Sequence, residues 1–120
     1  MPDDSNTPIR ELKRQILAMC RRKGWGDENG VQNPQHVAMA MTLEMAELLE
    51  HFQWLNAEDV ERLLRGGDPE RVALIGEEFA DVMMYGLQLA DALQIDVTQQ
   101  ILRKIDIVDH RSAKPGEPKR

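Results

Sequence analysis

The sequence predicts an all-α fold, an antiparallel four-helix bundle with one short extra helix, and three observations carry that expectation. Apolar residues recur at helical spacing through most of the chain. The alternating runs rich in Val, Ile, Thr and Tyr that mark strands do not occur. Helix starts are written as a capping residue followed by proline, at Thr7-Pro8, Asn33-Pro34 and Asp68-Pro69. The cap's side chain accepts from free backbone N–H groups, and the N–H that proline lacks costs nothing at the first helical position.

The first helix is expected over residues 8–23, with Ile9, Leu12, Ile16, Met19 and Cys20 as its apolar stripe. Arg21, Arg22 and Lys23 close it where cations suit the helix dipole. Residues 24–32, rich in Gly, Asp and Asn, read as a loop whose one large apolar side chain is Trp25. The second helix covers residues 34–54, and Asn56 caps a short helix ending at Gly66-Gly67. The third main helix, residues 69–93, carries Val72, Ile75, Phe79, Val82, Leu89 and Leu93 on one face. The last, residues 97–110, starts at Asp96 with Gln99 in the capping-box position and packs through Val97, Ile101, Ile105 and Val108. One domain, 1–120, is expected, with residues 1–7 and 112–120 as flexible tails.

A chain of 120 residues can build one small core, and oligomerisation would add burial that one copy lacks. The net charge of −6 argues against a nucleic-acid polymer or an anionic membrane as partner, although a local basic cluster can still take a small phosphate ligand. Cys20 is the single cysteine, so no intramolecular disulfide forms. No amino-terminal apolar stretch resembles a signal peptide or a membrane span, and a cytoplasmic location is the expectation.

Two carboxylate pairs are the main functional clue: Glu44/Glu47 and Glu78/Asp81, each spaced three residues apart and so neighbours on a helix surface. Spacing alone says little, because Glu58/Glu61 shows the same interval, and the ordinary alternative is a solvated face. Helix phase separates the pairs from such bystanders. At about 100° per residue, Glu44 lies at the edge of the arc Val37, Met41, Met45, Leu48 and Phe52, with Glu47 just beyond and Glu50 pointing away. Glu78 borders the apolar face of the third main helix, Asp81 lies farther round on that side with Tyr85 between them, and Glu77 falls opposite. Four acids bordering faces that pack together repel one another unless a cation or proton compensates. Oxygen ligands on helices suit Mg2+, with Mn2+ as a substitute, and no Cys/His set for zinc is found. Mg2+ in turn suggests a phosphorylated substrate. His51 shares the side of Glu44 and Glu47 but reads as a partly exposed polar residue rather than a ligand. Lys104 and Arg111 are candidates to reach phosphate oxygens, with helix-end solvation as the alternative. Trp25, Trp54 and Tyr85 are candidates to stack on or enclose a base, although interface packing also accounts for Trp54.

The stretch from Asn33-Pro34 through Leu43-Glu44-Met45-Ala46-Glu47 to Phe52-Gln53-Trp54, followed by Glu77-Glu78-Phe79-Ala80-Asp81-Val82-Met83-Met84-Tyr85, resembles the MazG-like nucleotide pyrophosphohydrolases. That group includes the dCTP pyrophosphatases, and the likeness covers about residues 8–111. The resemblance implies an all-α homodimer or homotetramer that converts (deoxy)nucleoside triphosphates to the monophosphate and pyrophosphate with Mg2+. By position, Glu44, Glu47, Glu78 and Asp81 match metal ligands, Trp54 and Tyr85 match nucleotide-pocket positions, and Lys104 matches a lysine that contacts phosphate. The chain also departs from the pattern. A histidine usual just before the Pro of the second helix is replaced in Val31-Gln32, and an asparagine expected a turn after the lysine is Val108. An Arg-Tyr-Pro segment is replaced by Arg111-Ser112-Ala113, and Trp25 aligns loosely because the loop length differs. These departures bear on base and sugar selection and leave the metal ligands in place.

The expected chemistry is in-line attack of water on the alpha phosphorus, with Glu47 as general base, Lys104 stabilising phosphate charge and Arg111 assisting. Its expected role is nucleotide-pool house-cleaning. Two alternatives stand beside it: a non-catalytic helical dimerisation module, and a phosphoribosyl-ATP pyrophosphohydrolase on the same fold, against which Phe52-Gln53-Trp54 argues.

Overall fold

The computed structural model describes residues 1–111. They form five helices, α1 (Ile9–Lys23), α2 (Pro34–Glu50), α3 (Ala57–Leu64), α4 (Pro69–Ala92) and α5 (Val97–Asp109), with no strand among the described residues. The carboxy-terminal tail expected at residues 112–120 lies outside them. No helix among the described residues is long and apolar enough to cross a membrane.

Local chemistry accounts for most of the boundaries. Asn33 Oδ1 accepts from the N–H groups of Gln35 and His36 to start α2. Asp68 does the same from Arg71 for α4, and Asp96 from Gln99 for α5. Asn56 and Asp59 exchange reciprocal bonds at the head of α3. Thr7 is the exception. Its backbone N–H and hydroxyl are engaged in the turn that precedes α1, donating to Asp3 O and Asn6 Oδ1, so α1 starts after Pro8 without a side-chain cap. At the other end of α1, Gly24 takes the left-handed conformation (φ 71°) and Trp25 N–H donates to Cys20 O, which swings the Trp25 loop back over the helix end.

The second helix is shorter than the pattern suggests. α2 stops at Glu50, and residues 51–54 tighten into turns in which Phe52 N–H donates to Leu49 O and Leu55 N–H to Phe52 O, delivering the chain to the Asn56 cap. Trp54 therefore stands in a turn and is 86% exposed.

α2 and α4 are antiparallel and form the principal packing pair. Going up α4, Arg71 reaches the carbonyl of His51, Glu78 meets Glu47, Gly86 meets the Met41 side chain and Gln88 meets Gln32. α1 lies along α4 in the opposite direction, with Lys13 Nζ donating to Ile95 O at 2.8 Å. The buried side chains are Cys20, Val37, Val82, Leu87, Ala90 and the polar Gln88, and Gly30 is buried with them. Gly30 lets the loop rest on α1: at φ 81° a Cβ would meet Leu17 O at 2.8 Å.

Several expected core positions are open. Phe79 and Val72 of α4 and Leu93 at its end are about half exposed, as are Met45 and Phe52. On α5, Ile101 and Ile105 are 53% and 50% exposed, because α5 leaves α4 through the turn at Gln94 and makes only slight contact with the other helices. The Cα radius of gyration is 17.4 Å, against about 13–14 Å for a compact domain of this length. One chain thus leaves apolar helix faces unpaired.

Candidate metal centre and adjoining cavity

α2 presents Glu44 and Glu47, and α4 presents Glu78 and Asp81, on the sides that face each other. One carboxylate oxygen from each of Glu44, Glu47 and Glu78 lies within 4.8 Å of the other two. Asp81 stands outside that trio, yet its charge is felt by both Glu44 and Glu78, and with Glu44 it lines the cavity beside the cluster. Burial differs within the set: Glu44 and Glu78 are partly buried, whereas Glu47 and Asp81 are exposed.

Two atoms define the electrostatics. Glu44 Oε2 and Glu78 Oε2 are buried and have no hydrogen-bond partner. Loss of solvation is the main force raising the Glu44 carboxyl above its ordinary range, followed by the charges of Glu47 and Asp81. The Glu78 carboxyl is raised by desolvation first and then by Glu47, with His51 opposing the shift. Buried anionic oxygens without a donor are costly, and like charges add to the cost. A hard divalent cation is the ligand that oxygen donors in this arrangement fit.

The adjoining cavity has a volume of about 450 Å³ and is lined by Met19, Trp25, Gln32, Glu44, Asp81, Met84, Tyr85 and Gln88. Asp81, Tyr85 and Gln88 reach it from one side of α4, at intervals of four and three residues. Trp25 enters from the loop that Gly24 turns back, and remains 48% exposed.

Of the residues singled out in the sequence, Glu44, Glu47, Glu78, Asp81, Trp25 and Tyr85 come together in the cluster and its cavity. Trp54, Lys104 and Arg111 do not line that cavity; all three are exposed, Trp54 in the turn after α2, Lys104 on α5 and Arg111 just beyond it. Sequence reasoning missed Gln88 and the role of Gln32 as its partner. Gln88 carried a usable signal, since it is a polar residue inside Leu87-Gln88-Leu89-Ala90 and continues the side of α4 set by Asp81 and Tyr85. His51 lies near enough to Glu78 to influence its charge, a proximity that its position at the end of α2 concealed.

Helical architecture and a carboxylate cluster shared by two antiparallel helices define a class of all-α protein able to hold a cation between its helices. The chain belongs to the MazG-like family, which it matches over residues 39–114. Among curated relatives, dCTP pyrophosphatase 1 of Homo sapiens is 30% identical over 106 residues, covering 88% of this chain and 58% of the relative. dCTP pyrophosphatase 1 of Mus musculus is 29% identical over 105 residues, covering 88% of this chain and 57% of the relative. The chain thus spans somewhat over half the length of these relatives.

Proposed function

We propose that this chain hydrolyses nucleoside triphosphates to the monophosphate and pyrophosphate, with Glu44, Glu47, Glu78 and Asp81 holding divalent cation, Mg2+ or in its place Mn2+. The observation that carries this reading is the pair of buried oxygens, Glu44 Oε2 and Glu78 Oε2, that no donor satisfies. Family membership and the activity named for the curated relatives support the substrate class. A bound cation would supply charge neutralisation for the phosphates and acidify a water molecule.

The chain's own residues supply the rest. Glu44 and Glu78 hold their inner oxygens fixed away from solvent, and Asp81 adds a carboxylate on the cavity side. Glu47 is exposed beside them and accepts the proton of the attacking water as that water adds to the alpha phosphorus and pyrophosphate departs. Trp25 and Tyr85 flank the base.

Lys104 and Arg111 reach phosphate, and Trp54 the pocket, from a second copy. What supports assembly is the amount of apolar surface left open: Met39 and Leu43 on α2, Val72, Phe79 and Met83 on α4, and Ile101 and Ile105 on α5. A homodimer or homotetramer covers these faces. Removal of unwanted nucleotides from the cytoplasmic pool is the role we assign to the activity.

The test is a panel of (d)NTPs incubated with Mg2+ and scored separately for pyrophosphate and orthophosphate. Pyrophosphate that disappears on chelation is the expected product. Orthophosphate as the main product would contradict attack at the alpha position.

A further inference from the structure

Two carboxamides close one end of the cavity. Gln88 is only 7% exposed, and its Oε1 accepts from Gln32 Nε2 at 2.5 Å. The same Nε2 faces the sulfur of Cys20, a fully buried thiol, at 3.7 Å. Both glutamines line the cavity beside Trp25 and Tyr85. Gln88 stands seven residues beyond Asp81 on the same side of α4, a separation of about 10 Å along the axis. Carboxylates at one end, aromatic walls, and paired amides two turns away reproduce the order of phosphate, sugar and base in a nucleotide.

The hydrogen-bond inventory of the pair is informative. With Gln32 Nε2 turned toward Gln88 and Cys20, the groups left for the cavity are an acceptor, Gln32 Oε1, and a donor, Gln88 Nε2. An acceptor beside a donor matches an amino base such as cytosine, whose exocyclic N–H2 adjoins an acceptor ring nitrogen. Rotating both carboxamides by half a turn exchanges oxygen and nitrogen with little change of shape. Gln88 Nε2 then donates to Gln32 Oε1, and the cavity meets a donor from Gln32 and an acceptor from Gln88. That edge matches a keto base such as uracil, whose carbonyl adjoins an N–H. Cys20 suits both states, since its sulfur is a weak acceptor in the first and its S–H a weak donor in the second.

We propose that Gln32 and Gln88 form a base-reading couple that flips as a unit, so that the pocket accepts amino and keto nucleotides alike. The inference rests on the nucleoside triphosphate reading of the adjoining carboxylate cluster. A rigid site rejects the wrong edge because its own buried polar groups are left unpaired, a penalty of roughly tenfold to a hundredfold for each. The couple escapes this penalty by turning over. Neither glutamine touches the reacting phosphorus; both act on which base is seated.

The test measures kcat/KM for pyrophosphate release from dCTP, dUTP, dATP and dGTP with Mg2+, for the native chain and for Gln88→Glu and Gln32→Glu. A carboxylate at either position offers only acceptors, so the couple presents two acceptors and mismatches cytosine at its ring nitrogen and uracil at its carbonyl alike. In the native chain the dCTP and dUTP values are expected within about tenfold of each other, and each variant is expected to lose roughly tenfold or more on both substrates, since either base is left with one unmatched contact. Near-native kcat/KM for either substrate in a folded variant, or a native preference above about a hundredfold for one edge, overturns the couple and leaves pyrophosphohydrolase activity standing. No pyrophosphate from any nucleotide with the native chain overturns both. Should Gln88→Glu fail to fold, Gln32→Glu decides, because Gln32 is only partly buried.

Discussion

The α2/α4 pair and α5 meet the same sequence pattern in opposite ways. All three helices carry apolar residues at helical spacing. Between α2 and α4 part of each stripe meets within one chain, burying Val37 and Val82 while Met45, Phe52, Val72 and Phe79 stay about half exposed. Carboxylates come under cover with it, so that Glu44 Oε2 and Glu78 Oε2 lose their solvent. On α5 the stripe stays open, with Ile101 and Ile105 half exposed. Periodicity therefore identifies which side of a helix needs covering, while topology decides whether the cover comes from the same chain. Acids on the margin of a face that is covered lose solvent; a cation on a helix that is not, such as Lys104, stays exposed.

The largest effect is expected on the α2/α4 side. Glu47→Ala or Asp81→Ala should lower cation-dependent pyrophosphate release by about a thousandfold or more while leaving far-UV circular dichroism unchanged. Near-native turnover in either variant would contradict the assignment. On the α5 side, Ile105→Glu should reduce the solution mass, read by light scattering, to that of one chain, with helix content retained. An unchanged oligomeric mass would place the interface elsewhere.

A smaller contrast concerns stability without metal. Glu44→Gln removes a charge from a site where charge is disfavoured, so the metal-free variant should melt several degrees higher than the native chain and lose its Mg2+-induced shift. Ile105→Glu, which separates the chains, should by contrast leave the Mg2+-induced shift in place. Should Glu44→Gln melt lower instead, the repulsion inferred around Glu44 would be wrong.

The smallest effect is a slope. Burial and neighbouring carboxylates hold Glu44 and Glu78 above the ordinary carboxyl range. The folded chain therefore binds protons at these positions more readily than the unfolded chain does. Their contribution is fully present below the unfolded carboxyl pKa, about 4.3, and is lost as pH rises through their raised values. The melting temperature of the metal-free protein should accordingly show a component that increases as pH falls from neutrality toward 5. Saturating Mg2+ should flatten it, and a slope unaffected by Mg2+ would separate the two carboxylates from cation binding.

Much of this architecture was legible beforehand. The caps at Asn33, Asn56, Asp68 and Asp96 act through short-range bonds that residue type alone announces. Helix phase distinguished Glu44 and Glu78 from Glu50 and Glu77 because burial follows the packed side of a helix. Thr7 misled because its backbone N–H and hydroxyl were already engaged in the preceding turn. The end of α2 misled because the chain tightens to reach Asn56, which no local propensity records. Gln32 and Gln88 are 56 residues apart in sequence and meet only once α2 and α4 have packed. Their pairing belongs to tertiary geometry.

Arg71 has a consequence for how the chain can be altered. It pairs with Asp68 at the first turn of α4 and donates to the carbonyl of His51 at 3.4 Å, pinning together the two ends of the excursion that carries α3. Behind that clasp, residues 52–67 can lengthen at an entropic cost that grows only with the logarithm of their number. A reporter peptide spliced after Arg65 would ride on this appendage and leave the spacing of the four acids untouched, making it the natural place to label the protein.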